Sequence, residues 1–372
     1  MIPPSPIDYD AILLHSFGGP NAPEEVVPFL KNVTAGKGIP DERLAEVGEH
    51  YYAFGGKSPI NEQNLALKAA LETELRDRGI GLPIIWGNRN WAPYTRDAIT
   101  ELIDQGAKKV LVLITSAYVS YSGCRQYRED LAKAMISLGH TDLEKAPIEF
   151  DKLRAYFNHP GFAQANLEAI NGGIEKLQAP NPHLVFVTHS IPDTMEEASK
   201  VGLPGGYSAQ HQDLADYLSE ELEKQHGKTF DYSLTYCSRS GPPSQPWLEP
   251  DVNDHLVELK NQGVSDVIII PFGFVSDHME VIYDLDTEAL ATAKDLSINA
   301  VRVPTVGTNP TFIKGIVDLI IERAAQRNDI EIEQPTVGKL GAFPAIAPSG
   351  STLRQHGNYE GHPVLCSQDI NS

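Results

Sequence analysis

The sequence predicts an α/β protein of two Rossmann-like lobes, each a small parallel sheet flanked by helices, with the active site in the cleft between them. Three observations carry this prediction. Apolar, β-branched runs alternate with helix-like runs along most of the chain, the pattern of parallel strands joined by crossover helices. A helix end, a glycine and a buried strand (Leu102-Ile103-Asp104-Gln105-Gly106-Ala107 before Val110-Leu111-Val112-Leu113) is echoed by Leu259-Lys260-Asn261-Gln262-Gly263-Val264 before Val267-Ile268-Ile269-Ile270. The echo points to two similar halves. Finally, a histidine and a row of carboxylates both fall just beyond apolar strands, where doubly wound sheets bind their ligands.

In order along the chain, strands are expected at 9–14, 83–86, 109–114, 148–153, 183–188, 232–236, 266–271 and 298–303. Helices are expected at 41–54, 62–78, 95–104, 126–136, 162–176, 209–224, 252–261, 279–293 and 310–326. Residues 1–150 with about 307–330 are assigned to an N-terminal lobe and 151–306 to a C-terminal lobe. From Gln334 onward Pro, Gly and Ser recur without periodicity, so 334–372 is expected to be a weakly ordered tail.

Composition narrows the function. A chain of 372 residues that is 41% hydrophobic and 22% charged suits large soluble cores. No run approaches the roughly 20 apolar residues that span a bilayer. The N-terminal Met1-Ile2-Pro3-Pro4 lacks the character of a secretory signal, so a cytoplasmic protein is expected. The formal net charge of −20 opposes binding to nucleic acid or anionic lipid and tolerates metal cations. Three widely spaced cysteines, Cys124, Cys237 and Cys366, form neither a disulfide framework nor a C-x-x-C pair.

The chemistry concentrates in two segments. Glu280, Asp284 and Glu288 follow the 266–271 strand at i, i+4 and i+8, which places three like charges on one helix face. A solvated acidic surface is one reading; a path for a cation is the other. His189 ends a second apolar strand, Leu184-Val185-Phe186-Val187-Thr188. A neutral imidazole and a carboxylate at neighbouring strand ends can together bind a divalent cation and take protons from its incoming ligand.

Thr188-His189-Ser190-Ile191-Pro192 and Ser276-Asp277-His278-Met279-Glu280-Val281-Ile282-Tyr283-Asp284 together resemble the signature segments of ferrochelatases. So do Leu13-Leu14-His15-Ser16-Phe17-Gly18-Gly19-Pro20, Tyr52-Ala53-Phe54-Gly55-Gly56-Lys57-Ser58-Pro59 and Gly87-Asn88-Arg89-Asn90-Trp91-Ala92-Pro93, the last in an actinobacterial form. The resemblance covers roughly residues 9–327. It implies a chelatase fold and insertion of ferrous iron, as substrate, into a porphyrin with loss of two pyrrole protons. His189 and Glu280 would be the catalytic pair and, with Asp284 and Glu288, the metal-handling groups. Tyr51, Ser58, Tyr127, Lys37 and Phe17 would contact the porphyrin.

The chain departs from the family pattern in places. Phe17, which cannot ligate iron, stands where many members have tyrosine. Thr34, Ala35, Lys37 and His50 stand where some have arginine, and Asn90 where some have histidine. Actinobacterial members often hold a [2Fe–2S] cluster on four cysteines; Cys124 matches the first, but too few partners remain, so no cluster is expected. The actinobacterial resemblance implies coproporphyrin III as substrate, with hand-over of the product to a downstream coprohaem-processing enzyme; a monomer is expected. The alternatives are protoporphyrin IX as substrate, a cobalt or nickel chelatase, and a non-catalytic haem or metal carrier.

Overall fold

The structure, a computed structural model, describes residues 6–36, 38–240, 244–354 and 362–369. The first lobe contains β1 (Ala11–Ser16), α1 (Pro23–Val33), α2 (Asp41–Tyr52), α3 (Ile60–Asp77), β2 (Ile84–Asn88), α4 (Thr95–Asp104) and β3 (Lys109–Ile114). A π-helical turn, Tyr121–Arg125, then runs into α5 (Gln126–Ser137) and a 3-10 turn leads to β4 (Glu149–Lys152). The second part contains α6 (Pro160–Leu177), β5 (His183–His189), α7 (Asp193–Ser199), α8 (Tyr207–His226), β6 (Tyr232–Cys237), α9 (Val252–Asn261) and β7 (Asp266–Ile270). A π-helix, Val281–Ala289, continues as α10 (Leu290–Asp295), and β8 (Asn299–Arg302) and α11 (Pro310–Arg327) close the fold.

All eight expected strands form, in two parallel sheets of order β2-β1-β3-β4 and β6-β5-β7-β8. The orders are the same pattern, so β1 and β5 are equivalent, as are β3 and β7. The echoed segments are therefore true structural equivalents. Gly106 and Gly263 both lie at positive φ, +78° and +87°, and end their helices in the left-handed conformation that glycine adopts without a Cβ penalty.

Strand alternation divides the cores. Ile12 and Leu14 of β1 and Leu184 and Phe186 of β5 face one large core that also takes in α3, α6 and α11. Their neighbours Leu13 and Val185 face the outer helices in two separate cores. A strand buried on both faces has no polar alternation, which is why these read as continuous apolar runs.

Three local expectations change. The expected α-helix at 279–293 begins as a π-helix, whose i→i+5 bonding widens the turn. Helix α1 was not expected because Pro28 lies inside it, and α7 was not expected because it has only seven residues. The segment after Gln334 has almost no regular structure, yet Phe343, Val364, Leu365 and Cys366 are buried, and Val337 N–H donates to the Asn158 carbonyl.

Candidate active site

β5 places His189 at the carboxyl end of the central strand of its sheet, paired in register with Cys237 of β6. The ring is fixed from several sides. Its Nδ1 lies 2.5 Å from the Ser190 carbonyl, which can only accept, so Nδ1 carries a proton and Nε2 faces outward. The His189 carbonyl accepts from the Tyr207 hydroxyl at 3.0 Å. Behind it, Thr188 Oγ1 lies 2.8 Å from both the Tyr207 hydroxyl and His211 Nε2. The chain leaving β7 passes so close that a Cβ on Gly273 would stand 2.2 Å from Thr188 Oγ1. Only glycine allows that approach.

His189 Nε2 faces Glu280 Oε1 at 3.6 Å, and the other Glu280 oxygen lies 3.9 Å from His278 Nδ1. Glu280 immediately precedes the π-helix, which carries Asp284 and Glu288 onward. Ser238, at the end of β6 with φ +63°, donates its hydroxyl to Asp284 Oδ2. Arg302 of β8 braces the segment from below, bonding Asp286 and, at 2.7 Å, Asp277. Gln63 of α3 reaches across from the first lobe; its amide donates to the Asp277 carbonyl and accepts from the Asp277 N–H, both at 2.8 Å.

The electrostatics follow from this packing. Burial pushes the His189 imidazole down, but the Glu280 charge and its contact outweigh it and lift the group to about 9. For Glu280 burial pushes upward and is outweighed by His189, so the carboxylate stays well below its usual range. With side chains 33% and 49% exposed, the pair remains open to solvent, which screens the attraction. Asp284 is raised to about 7, chiefly by burial, against the Ser238 hydrogen bond and with repulsion from Glu280. The row thus combines an ion pair, a carboxyl poised near neutrality and a further acid, Glu288, whose charge acts on His50 and Tyr283.

The first lobe faces this row. Tyr51 is held well above the ordinary phenol range, first by burial and then by the charges of Glu280 and Asp284, which places it beside the acids. His50 and Tyr283 stack across the lobes, with ring centroids 3.7 Å apart and planes 9° from parallel. Phe17 packs edge-on against Phe29, with Arg89 6.0 Å from its ring centre. Ser58 is buried, and a Cβ on Gly19 would meet its side chain at 2.7 Å. Tyr127 is also buried, its ring under the Arg89 guanidinium at 4.7 Å and edge-on to His15. Lys37 lies outside the described residues.

His278, Ser238, Gln63 and Arg302 received no role from the sequence. His278 was detectable, two residues before Glu280. Ser238 and Gln63 come from other elements and offered no local signal. Of the cysteines, Cys124 and Cys366 lie near one another beside α5, and burial pushes the Cys366 thiol up to about 12. Cys237 stands in the other lobe, next to Asp284. The three thiols are therefore split between the lobes.

Relatives match the chain along most of its length. A family model described as ferrochelatase matches residues 9–324. The coproporphyrin III ferrochelatase of Leifsonia xyli subsp. xyli is 49% identical over 364 residues, covering 93% of this chain and 91% of that protein. That of Streptomyces coelicolor is 49% identical over 349 residues, covering 92% of each. A ferrochelatase of Rhodopirellula baltica is 41% identical over 348 residues, covering 93% of each. Two equivalent sheets, a histidine facing a glutamate at their strand ends and a family match spanning both lobes lead to one conclusion: this chain belongs to the ferrochelatase family.

Proposed function

We propose that this chain inserts ferrous iron into coproporphyrin III, releasing two protons and forming coprohaem. The observation that carries the reading is the His189–Glu280 pair, 3.6 Å apart at the mouth of the second sheet and open to solvent on one side. The near-complete coverage of coproporphyrin III ferrochelatases at 49% identity supports that porphyrin over protoporphyrin IX.

In this reading His189 and Glu280 are the catalytic groups. Only a neutral imidazole offers a lone pair, so His189 must shed its Nε2 proton before it holds a metal or accepts a pyrrole proton. A cation arriving beside Glu280 promotes that loss by repelling the proton. Asp284, near neutrality at about 7, suits relay of the released protons, and Glu288 extends the path outward. Two protons leave the macrocycle as one dication enters it, so a row of acids serves traffic in both directions.

Tyr51, Phe17, Ser58, Tyr127 and Lys37 are taken as porphyrin contacts. Tyr51 stands beside the acids, and Phe17 supplies an apolar face that leaves iron without an axial phenol. Ser58 and Tyr127 are buried in this conformation, so their contact with the porphyrin requires them to become exposed as it binds. The reading includes no [2Fe–2S] cluster, because the chain has three cysteines and such a cluster takes four. It divides the chain into lobes at 1–150 with 307–330 and at 151–306, with 334–372 as a tail, although α11 packs against both α6 and α3. No helix among the described residues is long and apolar enough to cross a membrane; the reading takes the chain as a cytoplasmic monomer that passes coprohaem to a later enzyme.

Anaerobic absorbance spectroscopy with ferrous iron tests this, comparing coproporphyrin III with protoporphyrin IX and using His189→Ala as control. Faster metallation of coproporphyrin III, lost by at least about 100-fold in the variant, is the expected result. Faster metallation of protoporphyrin IX would overturn the substrate. Tight porphyrin binding without metallation of either would overturn the activity in favour of a carrier or another metal.

A further inference from the structure

A second histidine cluster lies at the opposite end of the sheet that carries His189. His183 opens β5, and six residue steps of extended chain separate it from His189 by about 20 Å. Register pairs Val185 with Ser233, so His183 and Ser233 lie on one face of neighbouring strands. His255 comes over from α9. Both imidazoles point their Nε2 atoms at a single oxygen: Ser233 Oγ lies 2.7 Å from His183 Nε2 and 2.8 Å from His255 Nε2. The ring centroids are 6.2 Å apart.

The proton positions are determined by the partners. His255 Nδ1 lies 3.0 Å from Glu258 Oε2, an acceptor, so Nδ1 carries a proton, and in the neutral ring Nε2 holds the lone pair. Ser233 then donates its only proton to His255, and His183 must donate Nε2–H to Ser233. His255 thus already has the tautomer of a metal ligand, oriented by a carboxylate on its other nitrogen, the usual support for ligating histidines. His183 needs only to move its proton from Nε2 to Nδ1. Asp231, whose charge acts on His183, and Glu258 supply negative charge beside the two rings.

We infer that His183 and His255 form a peripheral two-histidine site for a divalent 3d metal ion of the zinc or copper class, remote from the His189–Glu280 pair. The ion takes the convergence point of the two Nε2 lone pairs, with the Ser233 hydroxyl turning aside or serving as a third, weak ligand. Two imidazoles fall short of the four protein ligands of a structural zinc site, and no group of three or more His, Cys, Asp or Glu gathers among the described residues. The site is therefore exchangeable, with water completing the coordination. Copper binds more tightly than zinc, and ferrous iron more weakly than either.

Equilibrium dialysis of the full chain against Zn2+ tests the inference. The wild type should retain one more zinc per chain than His183→Ala or His255→Ala, and Ser233→Ala should retain as much as the wild type. Equal zinc retention by the wild type and both histidine variants would overturn it. Protection of the unmodified chain keeps the test independent of variant folding. Zinc should shield His183 and His255 from ethoxyformylation by diethyl pyrocarbonate, read by peptide mass spectrometry, and unchanged labelling of both would also overturn the proposal.

Discussion

β1 and β5 occupy the same place in equivalent sheets, and each carries a histidine at or next to its carboxyl end, yet the two residues behave oppositely. His15 of β1 is fully buried, and burial lowers it to about 3. Its Nε2 lies 2.8 Å from Thr95 Oγ1, whose own proton goes to the Asn88 carbonyl, so His15 donates there. Its Nδ1 has no hydrogen-bond partner among the described residues. His189 of β5 keeps an outward Nε2, meets Glu280 and rises to about 9. Topology offers the same position twice. A facing carboxylate and an opening to solvent raise one histidine, and burial alone lowers the other.

The sharpest way to break this comparison is to remove the carboxylate charge. Glu280→Gln should lower iron insertion by roughly 10- to 100-fold and return His189 from about 9 toward its ordinary 6.5. NMR titration of the imidazole would show the shift, and an unmoved His189 would refute the assigned cause. The linkage has a definite sign. A group raised on folding contributes stability fully below about 6.5, and loses it as pH rises through about 9. Wild-type melting temperature should therefore fall between those limits, and fall less in Glu280→Gln.

A smaller effect comes from the support behind His189. Gly273→Ala forces a Cβ against Thr188 and should cost about 1–3 kcal/mol in denaturant unfolding. It should also reduce metallation by the folded enzyme more than it weakens porphyrin binding. Normal turnover at reduced stability would mean that the strand end does not set the His189 position. The smallest effect on activity belongs to the buried counterpart. His15→Leu removes the bond to Thr95 and should cost about 1–3 kcal/mol, with kcat changed less than about twofold, since packing rather than chemistry occupies that position.

The lobes were legible because both faces of their strands are buried, which writes an apolar run that needs no tertiary information. His189 could be singled out because it ends such a run, and Glu280 because it opens the spaced row of acids that comes after another. The supporting residues were not: Ser238 meets Asp284 from β6, Gln63 reaches Asp277 from the other lobe, and Tyr207 holds His189 from α8. Nothing near these residues in sequence announces their partners. The π-helix was hidden for another reason. The i, i+4, i+8 acids that suggest an α-helix also suit a wider turn, and hydrogen-bond register decides between them.

The stack of His50 on Tyr283 carries a consequence for binding equilibria. Two rings in van der Waals contact join the lobes on the acidic side of the cleft, so a flat macrocycle cannot pass between them until they part. For any ligand that needs that space, the stacked form is the one that does not bind. If only about one molecule in a hundred is open, the measured Kd is about a hundredfold weaker than the open form's own, and substitutions that loosen the stack tighten apparent binding without touching the porphyrin.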